Sequence, residues 1–270
     1  LSSFCFFNLA NVPSHERMKD RPFCDRSAVN NVRTVSDTKR AFYNLHTRPI
    51  NSIYRRVVEE LMVEMHLLAV NVDFRYDPFY ALGVVTSFNR FMQGYRPEGD
   101  REAIFDALCR ANQADPQQYR QDAERLLNLA KNLQANELIA WLGQTHVAPD
   151  ATDLQDQVRA IATNPKFKYS RLFAIGLFSM FELSDPELVT DEARRTEALK
   201  QVCTSLNLSE DKLTKDLDLY RSNLEKMAQA LIVMEDTLAA ERKKREDREK
   251  AKAAASAPST EAHDATGEAT

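Results

Sequence analysis

The stretch Val57–Leu68, VVEELMVEMHLL, sets three glutamates and a histidine into an otherwise apolar run. It reads either as a buried metal or acid–base site or as a helix whose polar edge carries the acids. On a helix of 3.6 residues per turn, Glu59 and His66 are seven apart and share a face, whereas Glu60 and Glu64 point more than a quarter-turn away. A ligand set that diverges in this way cannot hold one ion. Di-iron helical bundles need Glu-x-x-His at i, i+3, and Val63 occupies the place that glutamate would take. The H-E-x-x-H spacing of zinc proteases is absent too. The stretch therefore predicts a helix with a buried stripe of Val57, Val58, Leu61, Met65 and Leu68, flanked by its acids.

Working outward, the same helical grammar recurs. Asp77-Pro78, Asp115-Pro116 and Asp185-Pro186 each place a capping side chain before a proline whose fixed φ suits the first helical position. Ser36, Asp150 and Ser209 precede further helical patterns and are read as caps by the same logic. Pro49, Pro97 and Pro165 punctuate the other joins. Sustained Val/Ile/Thr alternation bounded by Asn-Gly or Asp-Gly turns is missing. The prediction is an all-α fold with helices near 36–46, 50–70, 78–94, 98–112, 116–133, 136–145, 151–163, 168–183, 186–204 and 210–250. In domain terms, 30–205 forms a compact multi-helix domain and 209–250 a long coiled-coil helix. Residues 1–29 read as a disordered or non-native extension, and 251–270, poor in large apolar side chains, as a disordered tail.

The run Leu172–Phe181, LFAIGLFSMF, is about half of the roughly 20 residues a bilayer span requires, so no transmembrane helix is expected. A central buried helix is favoured over an interfacial one, although Lys166, Lys168 and Arg171 precede it. The last helix is patterned differently. Leu213, Leu217, Tyr220, Leu224, Met227, Leu231, Met234 and Leu238 step alternately by four and three, a heptad seam that asks for a second surface. That surface is read as the chain's own body or a different protein before a second copy, because Tyr220 sits in the seam and no asparagine does. Beyond it, ERKKREDREK at 241–250 reads as a solvated extension or a basic contact strip.

Charge narrows the functional classes. The chain carries −4 overall, so nothing global favours nucleic acid. Between Arg33 and Arg56, however, Arg33, Lys39, Arg40, Arg48, Arg55 and Arg56 face only Asp37. This block is a candidate surface for anionic lipid or an acidic partner; with the seam from Leu217 to Leu238 it makes up the candidate contact residues. Six scattered glycines write neither G-x-G-x-x-G nor a P-loop, and G-x-S-x-G is absent. Cys5, Cys24, Cys109 and Cys203 lack metal-ligand spacing, which suits a reducing compartment. No catalytic residue, metal or cofactor is expected. The contrary case is a helical metal enzyme built on Glu59, Glu60, Glu64, His66 and His46, which stoichiometric metal lost on His66→Ala would reveal.

RTVSDTKRAFYNLHTRPINSIYRRVVEELMVEMHLLAVNVDFRYDPFYALGVVTSFNRFMQGYRP (33–97), IFDALCRANQADPQQYRQDAERLL (104–127) and NPKFKYSRLFAIGLFSMFEL (164–183) resemble the thylakoid formation, or photosystem II biogenesis, protein family of cyanobacteria and plastids. The likeness covers roughly residues 30 to 235. It implies an all-helical protein with a long C-terminal coiled-coil helix and no catalytic set or obligate cofactor. It also implies support of photosystem II assembly and repair and contact with FtsH membrane proteases. The location it implies is peripheral on the thylakoid membrane, on the cytoplasmic or stromal side. The short, acid-containing stretch before NNVRTVSD suits a cyanobacterial or processed plastid member better than a plastid precursor.

Overall fold

The computed structural model describes residues 33–255. The expectations for 1–29 and for the tail beyond Ala255 lie outside them. Eleven α-helices follow one another: α1 Val35–Leu45, α2 Ser52–Ala69, α3 Pro78–Phe91, α4 Gly99–Ala111, α5 Pro116–Asn132, α6 Ala135–Leu142, α7 Thr152–Thr163, α8 Arg171–Ser184, α9 Pro186–Thr190, α10 Glu192–Leu206 and α11 Glu210–Ala255. A 3-10 turn, Pro149–Ala151, precedes α7, and no strand occurs among the described residues.

The Asp-Pro signals act as expected: Asp77, Asp115 and Asp185 each accept a first-turn backbone N–H. Several boundaries differ from the sequence reading. At α1 the cap is Thr34 rather than Ser36, since Thr34 and Asp37 close a reciprocal capping box. At α7 the capping position is Ala151, one residue after Asp150, because the 3-10 turn intervenes. The helix expected over 186–204 is two helices, α9 and α10. Asp191, in extended backbone, ends the first and accepts the Arg194 N–H to start the second. The poor helix formers Val189, Thr190 and Asp191 mark that break, and the sequence reading passed over them. At its end α11 continues past 250 to Ala255.

α3 and α8 form the centre. Every residue of α8 from Leu172 to Phe181 is buried, so the apolar run is a core helix and not an interfacial one. The pair meets backbone to backbone at Gly83 and Gly176. A Cβ on Gly83 would lie 1.7 Å from the Leu172 carbonyl oxygen, and one on Gly176 would lie 1.9 Å from that of Phe79. The pairings 83 with 172 and 79 with 176 make the helices antiparallel. Apolar side chains gather on either side. One cluster joins α3, α5, α6, α7, α8 and α10 around Trp141, Phe173 and Phe181. The other joins α1, α2, α3 and α4 around Phe42, Tyr54 and Phe88. α11 crosses both, giving Leu213 and Leu217 to the first and Tyr220 and Met227 to the second.

Asp77 is a cap under strong desolvation. Burial pushes its carboxyl up to about 7, against the pull of the Tyr80 and Phe79 backbone N–H groups. A carboxyl with a raised folded-state pKa binds its proton more tightly when folded. Its contribution is therefore complete below the ordinary carboxylate range and is lost as pH rises toward about 7. Asp77→Asn keeps the capping oxygen without the charge. Denaturation midpoints measured from pH 4 to 8 should show the unsubstituted chain losing stability relative to the variant as pH rises, with the variant the more stable at pH 8.

Candidate functional site

The four polar groups of Val57–Leu68 turn to separate partners. Glu59 and His66 do share a face, and both look toward α1: Glu59 accepts from Lys39 Nζ at 2.8 Å and Tyr43 Oη at 2.6 Å, and His66 Nδ1 lies 2.9 Å from Thr38 Oγ1. Lys39, with Tyr43, holds the Glu59 carboxyl below its ordinary range, while burial and then Glu59 push the Tyr43 phenol up to about 12. On the other side Glu60 takes Arg56 at 2.9 Å and Glu64 takes Arg171 at 2.5 Å. Burial lifts the Glu64 carboxyl above its usual range against the opposing Arg171 charge. The buried stripe is wider than predicted, with Tyr54, Met62 and His66 buried beside Val58, Leu61, Met65 and Leu68, and Val57 half-buried. α2 is packed on two sides, which one amphipathic stripe does not anticipate. His46, at the end of α1, is buried apart from these groups, and burial lowers its pKa. Among the described residues no group of three His, Cys, Asp or Glu could hold a metal ion. Cys109 and Cys203 are buried thiols, pushed by burial up to about 12 and about 11.

The basic block is only partly free. Lys39, Arg40, Arg48 and Arg56 pair with Glu59, Asp37, Asp100 and Glu60. Arg33 is half-buried at the first described position. Arg55 is exposed and makes no ion pair among the described residues. Lys39, Arg55 and Arg56 edge a groove of about 1140 Å³ whose far wall is the segment before α8 and the start of α11. There Tyr169 donates its hydroxyl to Asp216 at 2.9 Å, and Lys212 Nζ stands 4.7 Å above the Tyr169 ring. Lys168 is a second exposed cation without an ion pair among the described residues. Sequence reasoning noticed Lys168 and Arg171 only as flanks of an apolar run and did not connect them with Arg55. Their meeting depends on α2 and α8 being neighbours. The exposed Leu67 also lines the groove.

The heptad seam divides. Leu213, Leu217, Tyr220 and Met227 are buried, and Leu224 and Leu231 are half-buried against the same body. Met234 is half-buried, its Sδ 3.6 Å from Asn51 Nδ2. The chain's own helices thus cover most of the seam, the fold-back alternative that the pattern left open. From Glu235 to Lys252 every side chain is exposed, including Leu238 at 46%. At 1.5 Å per residue this arm extends α11 by about 30 Å.

A family model described as the thylakoid formation protein matches residues 34–249. The chain belongs to the thylakoid formation protein family. Relatives in this family include Protein Thf1 of Nostoc punctiforme, 68% identical over 230 residues that span 85% of this chain and 98% of that one. Protein Thf1 of Acaryochloris marina is 57% identical over 235 residues, 87% and 95% of the two chains. A solved structure of Psb29 superposes with a TM-score of 0.69 at 45% identity, covering 79% of this chain and 98% of its own. The thylakoid formation family has a thylakoid-related role and is named for that role rather than for a reaction. No helix among the described residues is long and apolar enough to cross a membrane.

Proposed function

We propose that the chain is a non-catalytic factor on the thylakoid surface, on the cytoplasmic or stromal side, that supports biogenesis and repair of photosystem II and thylakoid membrane organisation through protein contacts. Its proposed partner is an FtsH-type membrane protease, the partner that the family resemblance implies. The observation that carries this reading is the exposed arm of α11. A helix of some twenty residues without tertiary packing is marginal in water. This one continues a docked segment that holds its first turns in place, and it adds the i, i+4 pair Arg245–Glu249 at 3.1 Å. It is a pre-ordered element with mixed charge and a free surface. The test is affinity capture from solubilised thylakoid membranes with the full chain and with one ending at Asp236, which keeps every seam residue that touches the body. The protease should accompany the full chain and be lost from the shortened one. Equal capture by both would remove the arm from the proposal.

A second reading, a peripheral module for anionic lipid, is favoured by Arg55 and Lys168, exposed cations of the groove without an ion pair among the described residues, beside exposed Leu67. Exposed basic residues near a charged surface contribute about 1 kcal/mol each. Arg55→Glu with Lys168→Glu should abolish salt-sensitive flotation with anionic vesicles. Absence of flotation by the unsubstituted chain would dismiss this reading.

A further inference from the structure

A second cavity lies deeper than the groove, where α11 crosses α2, α3 and α8, and encloses about 470 Å³. That volume falls within the roughly 300–1,000 Å³ usual for small-molecule sites. Its floor is apolar and buried, formed by Leu61, Leu172, Ile175, Tyr220 and Met227. The floor also carries Ser87, 3% exposed, whose Oγ has no hydrogen-bond partner among the described residues. A buried hydroxyl left unpaired in this way is unfavourable unless a water or ligand satisfies it.

The mouth of the cavity is charged. Arg56 is matched by Glu60 and Arg171 by Glu64, two pairs that cancel. Lys226 stands there exposed, with no ion pair among the described residues. A cavity whose mainly apolar floor carries the buried hydroxyls of Ser87 and Tyr220, with one uncompensated cation at its entrance, has a definite complement. We infer that this cavity binds a monomeric, single-chain amphiphile with an anionic head, the apolar chain lying against Leu61, Ile175 and Met227 and the head facing Lys226. The Ser87 hydroxyl is free to donate to an oxygen of the ligand or to a water carried in with it. Because α11 forms one wall, an occupant would also brace the segment from which the exposed arm departs.

The probe is sodium decanoate below its micelle concentration, titrated calorimetrically into the full chain. Three companions separate the contributions: inorganic phosphate as an anion without a chain, decyl maltoside as a chain without charge, and decyltrimethylammonium as a chain of opposite charge. Decanoate should bind saturably at one site, about tenfold or more tighter than the other three. Lys226→Glu, on an exposed position, replaces an attraction with a repulsion; it should weaken decanoate by about tenfold, or about 1.4 kcal/mol, and move the preference toward the cation. Ala230→Phe should fill the cavity and abolish binding; if that variant loses helicity, Lys226→Glu decides alone. No saturable binding of decanoate up to millimolar concentration would overturn the inference. So would undiminished affinity in Lys226→Glu, or decyltrimethylammonium binding as tightly as decanoate. Flotation with anionic vesicles by a chain that ignores monomeric decanoate would also refute it, assigning the surface to a bilayer instead.

Discussion

Gly83→Ala and Gly176→Ala should each destabilise the chain by about 3 kcal/mol or more, the opposite of what helix propensity alone implies. Alanine in a helix interior normally gains roughly 1 kcal/mol over glycine. Here the added methyl would sit 1.7 Å from the Leu172 carbonyl oxygen in the first variant and 1.9 Å from the Phe79 carbonyl oxygen in the second. Both obstacles are backbone, so no rotamer change relieves them, and the two central helices must move apart. Overpacking in a well-packed core already costs about 1–3 kcal/mol when side chains can adjust. Separating α3 from α8 also loosens Phe79, Phe173 and Leu82, which are buried on that seam. Gly99 is the control: it opens α4, and a methyl added there would meet nothing within 4 Å, so Gly99→Ala should be neutral or slightly stabilising. Denaturant midpoints of the three variants check this. Destabilisation of Gly99→Ala equal to the other two, or no loss at Gly83 and Gly176, would contradict the close approach at the centre.

The second large effect separates the two halves of α11. Leu217 is 3% exposed and belongs to the cluster around Trp141, whereas Leu238, in the same heptad series, is 46% exposed. Leu217→Ala removes a buried side chain and leaves a cavity, at a cost of about 2–5 kcal/mol. Leu238→Ala should stay within about 0.5 kcal/mol, as surface substitutions do. Leu217→Asp, which buries an unpaired charge, should unfold the body and not merely release a helix. If Leu217→Asp instead left the rest of the chain cooperatively folded, α11 would be an independent coiled-coil segment and the shared core would not exist.

These contrasts also mark what the sequence could tell. The Asp-Pro pairs located helix starts because the cap and the fixed φ are local properties. The buried centre was legible from ten successive apolar residues too few to span a bilayer. The heptad seam was legible as a buried stripe, but not as buried against what: a 3.5-residue spacing records that Leu217 and Tyr220 are covered, not which element covers them. For the same reason the basic block overstated a surface. Arg56 precedes Glu60 by one turn of α2, but Lys39 on α1 meets Glu59 on α2, and Arg48, between those helices, meets Asp100 on α4. The deeper cavity left no sequence signal, since its lining comes from four helices far apart in the chain. Gly83 and Gly176 carried the missing information about α3 and α8, yet two isolated glycines do not reveal that they face one another.

The central claim is that a single helix both closes the core and projects beyond it. Amide hydrogen exchange along α11 tests it most directly. Amides from about Leu213 to Met227 should exchange only through opening of the body, with protection close to that of α8. Those beyond Leu238 should exchange at least ~100-fold faster, as a helix without tertiary cover does. Uniform protection from Leu213 to Lys250 in the monomeric chain, or rapid exchange at Leu213–Met227, would contradict the claim.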